Sequence, residues 1–460
     1  MVTSRQRGSR LSPDLSFMLL AALLVTLWLT GGASREDVAG QIVSRGAAWI
    51  AIIAAVLFAH RPRIMEAKGA ALILGAAILL CVVQLILLPP SVWRALPGRA
   101  AFADPMISPP ELWRPWSLVP GATVNALFSL VVPLAVLVLA TGVREKQKRW
   151  IPVAVLAVIA LALLVGLLQF TGAGIINPFV NGTPGAVDGM IANRNHFALF
   201  LAIGLLITPV WGVDAGSASR IRAPIALGLV VLLVLTILAS GSRAGMALGL
   251  TALALGFAIS RRGIKSALRG YSRWTLPAIG VGIVALIAIF VLASIAADRA
   301  VSIDRLAEVD TAVDMRGRGL PTVITMIRAY FPFGSGLGSF DPIFRIHEPF
   351  ALLKPTYFNH AHNDFLEIVL TAGLPGLLLL VAAIAWWAWR SVAAWQGDAV
   401  PPKLGSATLL LILLASAVDY PARTPIIMAI ATIAAVWLGE AGRRGDTADE
   451  APLPSTGRKL

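Results

Sequence analysis

The residue types that could do chemistry concentrate in residues 357–367, which read Tyr-Phe-Asn-His-Ala-His-Asn-Asp-Phe-Leu-Glu. Two histidines, His360 and His362, stand among amide and carboxyl side chains, directly before a long apolar run. Histidine is the side chain best suited to proton transfer near neutral pH. We therefore predict that the catalytic site includes this stretch.

Two local geometries are open for these residues. If a helix begins near Asn359, His360 and Asp364 share one of its faces and His362 points elsewhere, into the site. On an extended strand, His360, His362 and Asp364 would alternate to one side and could hold a metal. The apolar run that follows at once favours the helix.

Arginine is the second polar theme. Arg243 lies in a Ser-Gly-Ser-Arg-Ala-Gly turn between two apolar runs, and Arg316 and Arg318 precede a stretch with helical spacing. Guanidinium binds phosphate oxygens bidentately and stays charged, so these residues suit an anionic, phosphorylated substrate. The alternatives are a snorkelling side chain at Arg243 and a surface ion pair between Asp314 and Arg316.

Residues 334–338 form a glycine-rich segment that is only loosely similar to a phosphate-binding loop. The segment lacks the lysine and the strand-to-helix setting of such loops. We predict a tight turn beside a helix instead.

Composition places these residues in a membrane protein. Of 460 residues, 57% are hydrophobic and only 13% are charged, and the mean hydropathy is +0.81. Soluble domains carry about twice that charged fraction. The net charge of +14 comes from short basic clusters between apolar runs, a pattern typical of membrane orientation rather than of nucleic-acid binding.

We predict an all-α integral membrane protein, because twelve apolar runs approach the roughly 20 residues that a spanning helix needs. With both termini in the cytoplasm, 23 basic residues lie inside and 15 outside, or eight outside once the long loop is set aside. The predicted runs are 15–33, 46–60, 69–89, 121–142, 151–170, 196–213, 223–240, 244–260, 275–296, 368–389, 405–420 and 424–440.

The remaining segments complete the predicted organisation. Residues 1–440 form one polytopic domain whose large outer loop, about 297–367, contains short helices. Residues 441–460 are predicted to be a disordered cytoplasmic tail. The first run follows three arginines but has no convincing cleavage site after it, so we interpret it as a retained helix.

The motifs together resemble the bacterial O-antigen ligase and polymerase family over roughly residues 120–440. The resemblance rests on the His-Ala-His-Asn-Asp-Phe-Leu-Glu motif of residues 360–367 and the Gly-Leu-Pro-Gly-Leu of residues 373–377. Earlier motifs match in the same order, and a late one does as well. These are residues 193–198, 242–245, Arg316, 332–340 and 419–424.

The resemblance implies an inner-membrane glycosyltransferase of about a dozen helices with a periplasmic active site. Such enzymes take a glycan from undecaprenyl diphosphate and are regarded as metal-independent, with no cofactor. Ligases transfer the glycan to lipid A-core, polymerases to another repeat unit, and related oligosaccharyltransferases to a protein hydroxyl. The ligase is the function we predict, and the alternatives within the family are an O-antigen or exopolysaccharide polymerase and a protein O-oligosaccharyltransferase.

The resemblance also implies residue roles. His362 would be the catalytic histidine with Asn363 beside it, and Arg243 and Arg316 would hold the diphosphate. Further candidates for substrate binding are His360, Arg318, Asn195, His196 and Arg423. Outside the family, a secondary transporter with twelve helices is the competing interpretation, although transporters carry ionisable residues near the membrane midplane and the polar groups here cluster at one side.

Overall fold

The chain is almost entirely helical in the part that the computed structural model describes. That part comprises residues 14–103, 109, 111–213, 219–267, isolated positions between 269 and 285, 311–353 and 358–441, with only the backbone at 219 and 311–316. The helices are α1 (Leu15–Thr30), α2 (Ala39–Phe58), α3 (Lys68–Gln84), α4 (Pro90–Ala95), α5 (Pro120–Ser129), α6 (Val131–Gly142), α7 (Glu145–Lys148), α8 (Ile151–Phe170), α9 (Arg194–Val213), α10 (Ser219–Ala239), α11 (Arg243–Ala267), α12 (Thr311–Tyr330), α13 (Phe340–His347), α14 (Asp364–Gln396), α15 (Val400–Ser416) and α16 (Pro425–Gly439). Two short antiparallel strands, β1 (Leu87–Leu88) and β2 (Arg114–Pro115), pair with each other.

Eight helical segments among the described residues are long and apolar enough to cross a membrane, and α1, α15 and α16 are shorter apolar helices. Eleven of the twelve predicted runs coincide with these elements. The run 275–296 falls almost entirely outside the described residues, as do 297–310 of the predicted loop and 442–460 of the predicted tail. The count of twelve therefore stays a prediction.

Helix α9 is the centre of the bundle. Of its span, 89% is buried, whereas the spans of α2 and α10 are each 28% buried. It packs against α8, α10 and α11 through small residues that let backbones approach closely. At Gly256 of α11, for example, an added Cβ would lie 2.9 Å from the Leu206 carbonyl oxygen.

Charged residues tie the helices together at the end of the bundle that the basic clusters mark as cytoplasmic. The Lys148 ammonium lies 3.0 Å from carboxylate oxygens of both Glu66 and Glu440. Asp14 caps α1, because its carboxylate accepts a hydrogen bond from the backbone amide of Ser16. The same carboxylate accepts a second hydrogen bond from the backbone amide of Arg144. Segments that were predicted to share one side of the membrane thus meet in space.

The glycine-rich segment is a structural turn, as predicted. Gly334, Gly336 and Gly338 all have positive φ, and the amides of Gly336 and Leu337 donate to Thr371 and Gln84. A Cβ on Gly336 would lie 2.0 Å from Ser117 Oγ. These amides are occupied within the protein, so the segment is not arranged to bind a phosphate.

A fully buried arginine supports this turn from the segment between α3 and α5. One Arg99 nitrogen, Nη2, donates to the carbonyl oxygens of Trp116 and Gly334, and burial lowers the pKa of Arg99 to about 10. The chain between α3 and α5 is therefore joined to the segment that precedes the histidines.

Helix α14 begins at Asp364, not near Asn359. Asn363 has extended backbone and caps the helix, because its side-chain oxygen accepts from the Leu366 amide at 3.0 Å. The expectation that His360 and Asp364 share a helical face is therefore wrong. A capping asparagine offers the backbone a better start than residues 359–362, which precede the helix as irregular chain.

Candidate active site

A buried carboxylate, Asp419, organises the polar residues at the other end of the bundle. It lies in the turn between α15 and α16 and is 2% exposed. Its Oδ1 lies 3.1 Å from His362 Nδ1, and its Oδ2 accepts from the amides of Asn193 at 3.2 Å and Asn195 at 2.7 Å. Three distant parts of the chain therefore converge on one group.

His362 is held in the orientation that a general base needs. An ionised carboxylate only accepts hydrogen bonds, so Nδ1 carries the hydrogen toward Asp419 and Nε2 carries the lone pair. The side chain is 17% exposed, and its ring packs against Tyr420 and Phe358 with centroids 4.9 and 5.1 Å away. The backbone of His362 has a φ of +49°.

His196 supports Asp419 from the first turn of α9. It is 2% exposed, its Nδ1 lies 3.1 Å from Thr424 Oγ1, and its Nε2 lies 3.8 Å from Asp419 Oδ1. The structure therefore places this predicted substrate-binding residue against the carboxylate, with almost none of its surface exposed.

The two histidines keep Asp419 ionised. Burial raises the pKa of this carboxyl, but the hydrogen bonds and charges of His196 and His362 outweigh burial and lower the pKa well below its usual value. An ionised Asp419 stabilises a proton on His362, which is what a base needs after it has taken a proton from a substrate.

A second cluster adjoins the first and contains the other histidine. His360 Nδ1 lies 3.0 Å from Glu367 Oε1, and its ring lies 4.3 Å from that of Tyr420. Arg423 contacts both Glu367, at 3.2 Å, and Asp364, at 3.0 Å. The two carboxylates are almost fully buried, so the Arg423 charge already balances charges within the protein.

Asn363, predicted to act beside His362, has structural hydrogen bonds. Its oxygen caps α14, as described above, and its amide nitrogen donates to the Ala417 carbonyl at 2.9 Å. These bonds fix the backbone directly after His362 to the turn that carries Asp419.

Arg243 is the first residue of α11, and its side chain is exposed. The preceding residue, Ser242, donates to Asn195 at 2.8 Å, and Asn195 in turn donates to Asp419. The start of α11 is thereby fixed to the carboxylate that holds His362.

Helix α12 carries the other two arginines. Arg318 donates to the Ala351 carbonyl at 3.0 Å, while the Arg316 side chain lies outside the described part. Three residues after Arg316, a Cβ on Gly319 would touch Phe358 at 3.4 Å, and Phe358 packs on His362. The backbone of Arg316 therefore lies about one helical turn before Gly319, the residue of α12 that approaches the site.

The strand-like alternation of His360, His362 and Asp364 does not produce a shared metal site. Each side chain has a different partner: His360 contacts Glu367, His362 contacts Asp419, and Asp364 accepts a hydrogen bond from Arg423. No group of three potential ligands among the described residues is arranged to hold a metal ion.

Asp419 was not predicted from the sequence as a functional residue. The motif of residues 419–424 was recognised, but within it only Arg423 was taken as functional. The signal in the sequence was the Asp-Tyr-Pro of residues 419–421, in a short turn between two apolar runs. Burying an unpaired carboxylate there would be energetically unfavourable, so an acid in this position indicates a polar partner. His362 and Arg243 were identified from sequence, whereas their connection required the fold.

Comparison with known proteins gives one family match. Residues 228–381, about a third of the chain, match the family model described as O-antigen ligase. The matched region contains Arg243, Arg316 and both histidines of residues 360–362, and it ends before Asp419. No curated protein matches the chain.

Proposed function

We propose, from the premise that this chain belongs to the O-antigen ligase and polymerase family, that it is a ligase that transfers a glycan from undecaprenyl diphosphate to a lipid A-core hydroxyl. The observation that carries the catalytic part of this proposal is the pairing of His362 with the buried, ionised Asp419. The same polar network fixes the start of α11, where Arg243 lies.

The proposed reaction is a single displacement with inversion at the anomeric carbon. His362 Nε2 takes the proton of the acceptor hydroxyl as its oxygen attacks, and the bond between that carbon and the phosphate oxygen breaks. Arg243 and Arg316 bind the diphosphate and stabilise the charge that develops on it. No nucleotide takes part, because the diphosphate already activates the sugar.

We infer that this chemistry takes place on the periplasmic side of a bacterial inner membrane. The histidine end of the bundle is opposite the end where Lys148, Glu66 and Glu440 meet, and basic residues favour the cytoplasm. Both termini are then cytoplasmic. The polar groups lie at helix ends rather than at midpoints, which supports an enzyme over a transporter.

His362→Ala tests the catalytic assignment. We expect glycan transfer to fall by at least about 10²-fold, since a positioned general base contributes roughly that much. The measurement is lipopolysaccharide profiling in a deletion strain that carries the variant, with immunoblotting to show equal amounts in the membrane. Normal transfer by the variant would refute the role of His362.

The deletion strain itself separates ligase from polymerase. Loss of all attached chains indicates a ligase, and single attached repeat units indicate a polymerase. Both activities use the same donor chemistry, so this outcome decides the acceptor without altering the site.

Arg243→Lys tests the diphosphate assignment. Lysine keeps the charge but loses the planar pair of donors, so we expect transfer to fall about 10-fold. Inhibition by undecaprenyl diphosphate should weaken in parallel. An unchanged inhibition constant would exclude Arg243 from the diphosphate site.

A further inference from the structure

A cavity of about 330 Å³ lies next to the segment that carries His360 and His362, and residues directly after α1 form part of its lining. The polar side chains in its lining are those of Ser34, Arg35, Asn181, Asn193, His196, Asn359 and Tyr420. It therefore lies between the segment after α1, the loop before α9 and the residues next to His362.

The cavity has little net charge. Arg35 supplies its cation, but Arg35 Nε donates to Asp37 Oδ1 at 2.9 Å and a second guanidinium nitrogen also contacts that carboxylate. With its amide oriented to satisfy both groups, the Asn181 oxygen accepts from Arg35 at 2.8 and 3.1 Å. A cation that is balanced in this way is a poor partner for a diphosphate.

Neutral hydrogen-bonding groups line the cavity instead. The side chains of Asn359 and Ser34 make no hydrogen bonds within the described part of the chain, although both lie in the cavity wall. Amides and hydroxyls each donate and accept, so they match the alcohol groups of a sugar. Tyr420 adds an aromatic residue to the same lining.

The cavity adjoins the reacting group. Asn359 precedes His362 by three residues, and Tyr420 contacts the rings of both His360 and His362. Asn193 donates to Asp419, the residue that orients His362. A ligand that binds in the cavity is therefore next to the proposed base.

We propose that this cavity binds one sugar unit of a glycan substrate through its uncharged hydroxyl groups, and that the diphosphate lies elsewhere. Its volume is at the small end of the range for ligand sites, roughly 300–1,000 Å³, which suits a single unit of a longer glycan. The inference rests on the proposed function, because that function makes glycans the substrates.

Two variants of lining residues from separate segments of the chain, Asn181→Ala and Asn359→Ala, test the inference by equilibrium binding to the purified full chain. Asn125→Ala on α5 is the matched control, since it removes the same group from a helix that does not line the cavity. The probes are the undecaprenyl-diphosphate-linked glycan, undecaprenyl diphosphate without sugar, and lipid A-core.

We expect each cavity variant to raise the Kd for one of the two glycan-bearing probes about 10-fold and to leave the Kd for undecaprenyl diphosphate unchanged. An effect on the linked glycan assigns the cavity to the donor, and an effect on lipid A-core assigns it to the acceptor. The control should match wild type for all three probes.

Equal weakening for undecaprenyl diphosphate and the linked glycan would show a diphosphate site and overturn the inference, as would unchanged Kd values throughout. Wild-type transfer activity is measured separately. If wild type binds the sugars in the cavity but transfers none, the proposed function fails while the sugar site stands.

Discussion

Two histidines separated by one alanine each lie against a buried carboxylate, yet the two carboxylates have different surroundings. Asp419, beside His362, is otherwise held by the amides of Asn193 and Asn195 and by His196. Glu367, beside His360, also forms an ion pair with Arg423. Arg423 therefore gives the second carboxylate a permanent cationic partner, which it shares with Asp364, whereas amides and imidazoles hold the first.

The difference between Asp419 and Glu367 suggests a rule for this site: the groups that surround each carboxylate determine whether the adjacent imidazole can act as a base. A carboxylate that is paired with arginine stabilises a proton on the adjacent imidazole less than an equally buried carboxylate without a cation does, because the arginine charge offsets part of its field. We therefore propose that His362 transfers the proton and that the cluster around His360 has a structural role.

Asp419→Asn should have the largest effect on this contrast. The amide cannot stabilise the imidazolium and favours the wrong tautomer, so transfer should fall by at least about 10²-fold. The residual pH–rate profile should shift toward acid, because His362 then stays neutral to lower pH. Asp398→Asn, in an exposed ion pair with Arg262, is the control that should keep wild-type rates. A wild-type profile in Asp419→Asn would remove the distinction between the two clusters.

Arg423→Gln should affect stability next most strongly. It leaves Asp364 and Glu367 buried without their cation, and breaking a buried pair costs about 3–5 kcal/mol. Thermal unfolding in detergent measures this loss. Arg345→Gln, in an exposed pair with Asp341, should change stability by less than about 1 kcal/mol. Unchanged melting with weakened donor binding would instead make Arg423 a substrate ligand.

His360→Gln should have the smallest effect. Glutamine can still donate to Glu367, so we expect transfer to change by less than about 5-fold, in contrast to the loss in His362→Ala. The readout is the same transfer assay, with KM and kcat determined separately. A fall as large as that of His362→Ala would mean that both rings take part in the reaction.

Much of the fold was predictable because apolar run length determines where helices form in a membrane. The start of α14 was missed because the capping hydrogen bond of Asn363 is a local feature that hydrophobicity does not report. The tight turn at 334–338 followed from its glycines, but its contacts with Gln84 and Thr371 join distant parts of the chain.

The residue types in the sequence were enough to propose histidines for proton transfer and arginines for phosphate binding, and these roles stay predictions. The partner of His362 was not predictable, because Asp419 is 57 residues away along the chain and becomes its neighbour only when α15 returns across the bundle. The inward-facing position of His196 was missed for the same reason, since Thr424 and Asp419 are even more distant from it in sequence.

The left-handed backbone at His362 has an energetic consequence for the loop. A residue with a Cβ costs about 1–2 kcal/mol in this conformation, and a glycine there would avoid that penalty but would have no imidazole. The surrounding bonds must therefore supply the free energy that keeps the loop in place. Part of the folding free energy of the bundle thus offsets the conformational strain that holds the His362 ring in position.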